Sequence, residues 1–436
     1  ITMNRRFNSI ASVTTRYRGK PAKEKVGRSF ADLPSSITTC ILLQLPIKSV
    51  SMCKCVCKTW NALISDPYFA TLYSQHASLG FMIRTTCPGH VSNTLHLFEC
   101  KPKKVGCVDV KFDPKFKLPL RNANTTCDDD PADKFGVVNS CNGLLCLCEP
   151  TSMSGELQRV NNLVVCNPIT GEFIRLPEAT GIMNTRKAIC AGLGFQPKTN
   201  EYKVIRMCKI DNGNAMVVEM HTLGTTTWKT IEVDPKFLFL RLESPASVNG
   251  ALHWINFDGK IRSILCFDFE SERLQSFPSP PPPPPPESNV LGISMVELKG
   301  FLYFCESILN SCVVWLMKKY GIGESWTKVF CTDNFNKFPW RFSICRPIKH
   351  FENGGGALLL QWSYATDSFV YFEPGHTRIF DVSWDKPVWF ESIPHNPSFI
   401  SLKNIVKGKN IEVQNVHSWM IPSNGELQGS NKKQRC

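Results

Sequence analysis

The chain has 436 residues, 42% hydrophobic and 20% charged, with a formal net charge of +13 at pH 7. Those proportions suit a soluble globular protein of one large domain or two to three ordinary ones, and no apolar run of about 18 residues is present to span a bilayer. Residues 1–28 carry eight Lys/Arg against one Glu, and residues 403–436 six against two, which leaves +2 for everything between.

The basic charge therefore belongs to two polar ends, 1–29 and 401–436, expected to be solvated tails. A nucleic-acid-binding body would need a basic stripe interleaved with aromatics, and none is visible, so nucleic acid is not an expected partner. The first residues, "ITMNRRFNSIASVTTRYRGK", lack the apolar core of a secretory signal, and Met3 is the expected start of the natural chain. The 20 cysteines are irregularly spaced. Without an export signal they read as reduced, mostly buried thiols of a cytoplasmic or nuclear protein.

Residues 30–76 read as a short helical unit. Ile37, Ile41 and Leu45 recur every four residues, joined by Leu42, and give one apolar face before Pro46 stops the helix. A second helix is expected from Ser49 or Ser51, with Val50, Cys53, Val56 or Cys57, Trp60 and Ile64 at steps of three and four. Asp66-Pro67 breaks it, because the residue before proline disfavours helical geometry.

Within that helix, "CKCVC" raises the question of a metal or redox site at Cys53, Cys55 and Cys57. Helical residues two apart point about 200° apart, so the three cannot face one ion. Cys53 and Cys57 share a face with Val50 and Trp60, the nearest histidine is His76, and no second ligand pair follows. Packing is the expected role, with no metal and no cofactor. About 45 residues with two amphipathic helices cannot cover their own apolar surface, so a partner should cover it.

Leu33-Pro34, Ile41-Leu42, Leu45-Pro46, "KSV", "CVCKTW" and "LISDPYF" follow one another in an order and spacing that resembles an F-box. One departure is Met52-Cys53, where family members often have Arg-Phe. The resemblance implies docking onto a Skp-type adaptor, held in turn by a cullin carrying a RING subunit. It assigns adaptor binding to Leu33, Pro34, Ile37, Ile41, Leu42, Leu45, Pro46, Val50, Val56, Trp60 and Leu63, some of which must also form the unit's own small core.

Residues 77–400 read as short strands between turns. Hairpins are predicted around Gly171, Gly224, Glu272, Gly323 and His376, separated by 53, 48, 51 and 53 residues. A second series, Gly143, Gly192, Gly250, Gly300 and Gly356, recurs at 49, 58, 50 and 56. A period near 50 built from two hairpins fits four-stranded blades, which bury both faces only in a ring. The expected fold class is therefore α+β multidomain: a short N-terminal helical unit, then an all-β, kelch-like propeller, irregular and of five to six blades. A pair of β-sandwiches is the competing architecture. Only Gly354–Gly356 approaches the double glycine of a kelch repeat.

Together with the helical unit, "NSCNGLLCL", "VCNPITGEFIRLP" and "GLGFQPKTNEYKVIRM" resemble plant F-box proteins with an F-box-associated, kelch-like domain. The resemblance implies a substrate-recognition subunit of an SCF-type cullin-RING ubiquitin ligase. Its β domain would hold an unidentified target protein, and catalysis would belong to other subunits. No GxSxG, HExxH, P-loop or GxGxxG stands in a strand–turn–helix setting, and the glycines of "GLGFQP" read as blade turns. His253 reads as a satisfied core histidine. Trp228, Trp254, Trp315, Trp326, Trp362 and Trp384 read as strand residues, mostly of blade core. Pro280 to Pro286 should form a stiff polyproline II spacer. Two rival readings remain: a propeller enzyme or glycan-binding lectin, marked by acidic or histidine side chains converging on the central channel, and a non-degradative F-box scaffold.

Overall fold

The computed structural model describes residues 33–416 apart from connecting segments, the longest being 121–134, 149–161, 179–185, 283–289, 334–343 and 381–388. Trp384 and Pro283 to Pro286 lie outside the described residues. No helix among the described residues is long and apolar enough to cross a membrane.

Among the described residues four helices come first: α1 Ser35–Leu43, α2 Ile47–Cys53, α3 Lys58–Ile64 and α4 Pro67–His76. The single second helix expected from periodicity is therefore two helices, and its start is Ile47 behind Pro46 rather than Ser49 or Ser51. Chain direction changes at 54–57, where Cys57 is fully extended (φ −156°, ψ 162°) and its Sγ accepts the Trp60 amide at 3.4 Å. Asp66-Pro67 ends α3 and also begins α4. Proline suits the first helical position, and the Asp66 carboxylate accepts the Tyr68 amide at 2.7 Å.

Among the described residues the strands form six sheets, the upper end of the expected range. Blade 1 holds β1 Gly80–Cys87, β2 His90–Val91, β3 Thr94–Lys104 and β4 Cys107–Lys117. Blade 2 holds β5 Gly136–Cys141, β6 Leu144–Cys148, β7 Val164–Asn167 and β8 Glu172–Arg175. Blade 3 holds β9 Arg186–Gln196, β10 Glu201–Ile210, β11 Met216–Thr222 and β12 Lys229–Glu232. Blade 4 holds β13 Leu242–Val248, β14 Ala251–Phe257, β15 Arg262–Asp268 and β16 Arg273–Phe277. Blade 5 holds β17 Val290–Leu298, β18 Phe301–Ile308, β19 Ser311–Met317 and β20 Trp326–Asp333. Blade 6 holds β21 Ile344–Phe351, β22 Gly356–Trp362, β23 Asp367–Glu373 and β24 His376–Phe380. A late strand, β25 Trp389–His395, pairs antiparallel with β1 from Gly80↔His395 to Thr86↔Trp389. Blade 1 is thus assembled from both ends of the domain, which removes two free edges at once.

Three of the expected glycine turns are two-residue hairpins with both central residues at positive φ: Asn142-Gly143, Asn249-Gly250 and Lys299-Gly300. Gly192 departs from the series. It and Gly194 lie inside β9, not in a turn, because blade 4 packs directly on that backbone. A Cβ on Gly192 would sit 2.6 Å from Leu252 Cδ2, and one on Gly194 2.2 Å from Phe269 Cε2. Trp228 precedes β12 instead of lying in a strand, and its indole donates to the Pro177 carbonyl at 2.7 Å.

The core runs along the seams between blades. One cluster joins blades 2 and 3, another blades 3 and 4, another blades 4 and 5. Trp254 is fully buried in the second of these and Trp326 nearly so in the third. Residues beyond 400, expected to belong to a tail, take part as well. Helix α5 Leu402–Ile405 puts Leu402 into the blade 2–3 core with Val406, and β26 Gln414–Asn415 adds to the edge of β8. Glu172 secures the segment by accepting the Leu402 amide at 2.6 Å and the Ser401 hydroxyl at 3.1 Å.

Candidate functional site

The helical unit has two apolar sides, and the structure separates them. Leu42, Ile47, Val50, Ile64, Phe69, Ala70 and Tyr73 are buried, and they share one continuous core with Met82, Leu97, Phe116, Phe135, Leu145 and Phe399 of the propeller. Helix α4 makes the seat: Phe69 and Tyr73 stack at 6.0 Å, and Phe399 meets Tyr73 edge-on at 5.2 Å. The Tyr73 hydroxyl donates to the Leu45 carbonyl at 3.1 Å, tying α4 to the end of α1. Burying such rings removes on the order of 150–250 Å² each from water, so this seam is a substantial part of the fold's stability.

The other side stays open. Ile37 (48%), Ile41 (42%), Met52 (63%), Val56 (65%) and Tyr68 (71%) are exposed, as are Pro34 and Pro46. Leu45, Trp60 and Leu63 lie between the two sides, partly buried against the core, and Leu33 is half-buried. Of the eleven residues expected at an adaptor interface, Leu42 and Val50 are therefore buried in the shared core, while Pro34, Ile37, Ile41, Pro46 and Val56 face solvent. Met52 and Tyr68 join the open side without having been expected there. Tyr68 lies within the "LISDPYF" stretch of the F-box pattern, whereas Met52 falls where that pattern is broken.

The three cysteines that posed a metal question go three ways. Cys53 packs on the core, Cys55 is exposed, and Cys57 caps α3. Burial raises the Cys53 thiol pKa above its ordinary value. Lys54, beside them, is held below its ordinary pKa by burial, against the opposing pull of Glu172 on blade 2.

Two matches to known families bear on this geometry. The F-box domain covers residues 30–72, and the F-box associated beta propeller domain covers residues 97–359, more than half of the chain. The chain belongs to the F-box proteins with an associated β-propeller. Among its relatives in Arabidopsis thaliana, F-box protein At3g07870 is 25% identical over 412 residues, spanning 85% of this chain and 92% of that protein. F-box protein CPR1 is 26% identical over 426 residues, 91% of each chain. F-box/kelch-repeat protein At3g23880 is 23% identical over 70% of this chain and 81% of its own length. Helix α4 begins inside the matched F-box domain and ends past it, at His76. The propeller likewise extends beyond its match at both ends, through β1 and through β25 to β26.

In this F-box protein, polar groups on the inner strands are engaged in holding blades together. Asn139 of β5 exchanges two hydrogen bonds of 2.8 Å with the Leu193 backbone of β9. Ser140 lies 3.0 Å from Nδ1 of His395, and the Cys141 thiol donates to Ser247 at 3.5 Å. Ser140 and His395 resemble part of a hydrolytic pair, but His395 is 1% exposed and burial pushes its pKa down to about 3. Such an imidazole is poorly placed to accept a proton at neutral pH. His253, fully buried, has Nδ1 3.2 Å from the Ala246 carbonyl and Nε2 3.0 Å from the Tyr320 hydroxyl, the satisfied core histidine expected. The described cysteines are free thiols, eight of them buried within blade strands.

Proposed function

We propose that this F-box protein is the substrate-recognition subunit of an SCF-type cullin-RING ubiquitin ligase, acting in the cytoplasm or nucleus. The observation that carries this reading is the division of the helical unit. Its inner side is spent on the propeller, and its outer side presents Ile37, Ile41, Met52, Val56 and Tyr68 to solvent. An exposed apolar stripe of that kind is costly to leave uncovered, and it suits a Skp-type adaptor lying across α1 to α4. Cullin and RING subunits would follow through the adaptor.

The receptor needs no catalytic group of its own. A target held on the propeller gains a high effective concentration near the charged ubiquitin carrier. Because the helical unit and propeller share one core, the target would be carried at a fixed offset from the adaptor rather than on a tether.

Ile41→Asp is the direct test. The side chain lies on the open side, so the fold should survive while co-purification with a Skp-type adaptor is lost. A folded Ile41→Asp protein that still recovers the adaptor at the wild-type level would overturn the assignment.

A further inference from the structure

Eight large apolar side chains stand exposed among the described residues, and five belong to the helical unit. The remaining three, Phe301 (45%), Tyr320 (37%) and Ile322 (49%), all fall at one corner of blade 5. The β18–β19 register pairs Tyr303 with Leu316, and continuing it by two residues sets Phe301 opposite Lys318. Phe301 therefore adjoins the loop between β19 and β20 that carries the other two.

That loop is fixed by its own hydrogen bonds. Ser325 Oγ lies 2.7 Å from the carbonyl oxygens of both Lys319 and Ile322, and it accepts the Lys319 amide at 3.1 Å. The Gly321 amide donates to Met317 Sδ at 3.3 Å. The Tyr320 hydroxyl is tied to His253 in blade 4, and its ring packs on Phe277 at 5.2 Å. Neither Phe301 nor Ile322 contributes to any of the seam cores. Phe301 and Ile322 thus stand outside the seam cores of the described residues, beside a Tyr320 that anchors the loop to blade 4, on backbone already ordered, which lowers the entropic cost of binding. Lys318 and Lys319 are exposed in the same loop, against a single exposed carboxylate there, Glu324.

We propose that this corner of blade 5 is a docking site for an extended, acidic segment of a partner protein that carries large apolar side chains. Its apolar groups would lie over Phe301, Tyr320 and Ile322, and its carboxylates would meet Lys318 and Lys319. The site rests on the receptor reading only in supposing that the partner is the protein presented for ubiquitin transfer; the binding itself stands apart.

The test uses the full chain and fluorescence polarisation with a short labelled peptide alternating Glu with Leu and Phe, beside the same peptide with Lys for Glu. The acidic peptide should bind, and the basic one should bind at least about tenfold more weakly. Ile322→Ser should weaken the acidic peptide by about tenfold, and the double change Lys318→Glu, Lys319→Glu by as much or more. All these positions are exposed, so unchanged thermal melting is expected to accompany the loss. Absence of acidic-peptide binding, equal binding of both peptides, or indifference to the substitutions overturns the proposal. Adaptor recovery by the same variants should equal that of the wild type. If the wild type itself recovers no adaptor, the receptor reading fails while the peptide result still decides the corner.

Discussion

The two sides of the helical unit are built from the same residue types, yet only one of them is finished. Leu42, Val50, Ile64 and Phe69 are at most 1% exposed, whereas Ile37, Ile41, Met52 and Val56 are all above 40%. Helical periodicity alone does not distinguish them, because both sides recur at three and four. What separates them is a shared core, in which the helices pack on one another and Phe399 of the downstream domain closes over Phe69 and Tyr73. The largest effect expected from this contrast is on the covered side. Phe69→Ala removes a fully buried ring that packs against both Tyr73 and Phe399, at a cost of about 3–5 kcal/mol. Thermal unfolding should move down sharply, and adaptor binding should fall with it. Ile41→Asp should do the reverse, shifting stability by no more than about 0.5 kcal/mol while costing on the order of 2–3 kcal/mol in adaptor affinity. Equal stability losses in the two variants would erase the distinction.

A second contrast is between seams. The helix–propeller seam is held by aromatic rings, while the blade 4–5 seam contains His253 and the blade 1–2 seam contains His395. Burial lowers the pKa of His253 to about 4 and of His395 to about 3, from an ordinary 6.5. Both histidines therefore bind protons more weakly folded than unfolded. Below pH 6.5 the unfolded chain takes up protons that the folded chain refuses, so stability falls as pH drops, and each contribution levels off below its folded pKa. Each histidine adds a slope of up to about 1.4 kcal/mol per pH unit in that window. Denaturant unfolding of wild type and His253→Gln between pH 7 and about 4 checks this. The variant should lose stability less steeply, and parallel slopes would show that the blade 4–5 seam does not titrate.

Much of this architecture was legible because it depends on local rules. Asn-Gly at 142–143 and 249–250 dictates hairpins wherever it stands between apolar runs, and the resulting 50-residue spacing announces blades. Gly192 broke the rule because its glycine answers a different demand, the close approach of Leu252 across a seam. No spacing argument registers that contact. The C-terminal segment was misread for a related reason. "SLKNIV" is short and runs into Lys407 and Lys409, and what orders Leu402, the blade 2–3 core and Glu172 some 230 positions earlier, lies far away in the sequence. The helical unit was recognised from its pattern, but which apolar residues face outward required the rest of the chain.

The smallest effect concerns the break between α2 and α3, where periodicity predicted continuity. Cys57 begins α3 with a thiol in the place usually taken by serine, threonine or aspartate, and its sulfur accepts the Trp60 amide at 3.4 Å. Sulfur is a weak acceptor, so a hydroxyl should serve better. Cys57→Ser is expected to stabilise the protein by a few tenths of a kcal/mol to about 1 kcal/mol, and Cys57→Ala to destabilise it by a similar amount. Because α3 carries Trp60 and Leu63 between the covered and open sides, the same pair of variants should move adaptor affinity in parallel with stability. If serine and alanine at this position melt alike, the thiol is not capping the helix, and the change of direction at 54–57 is imposed by the packing of Cys53 and Trp60 instead.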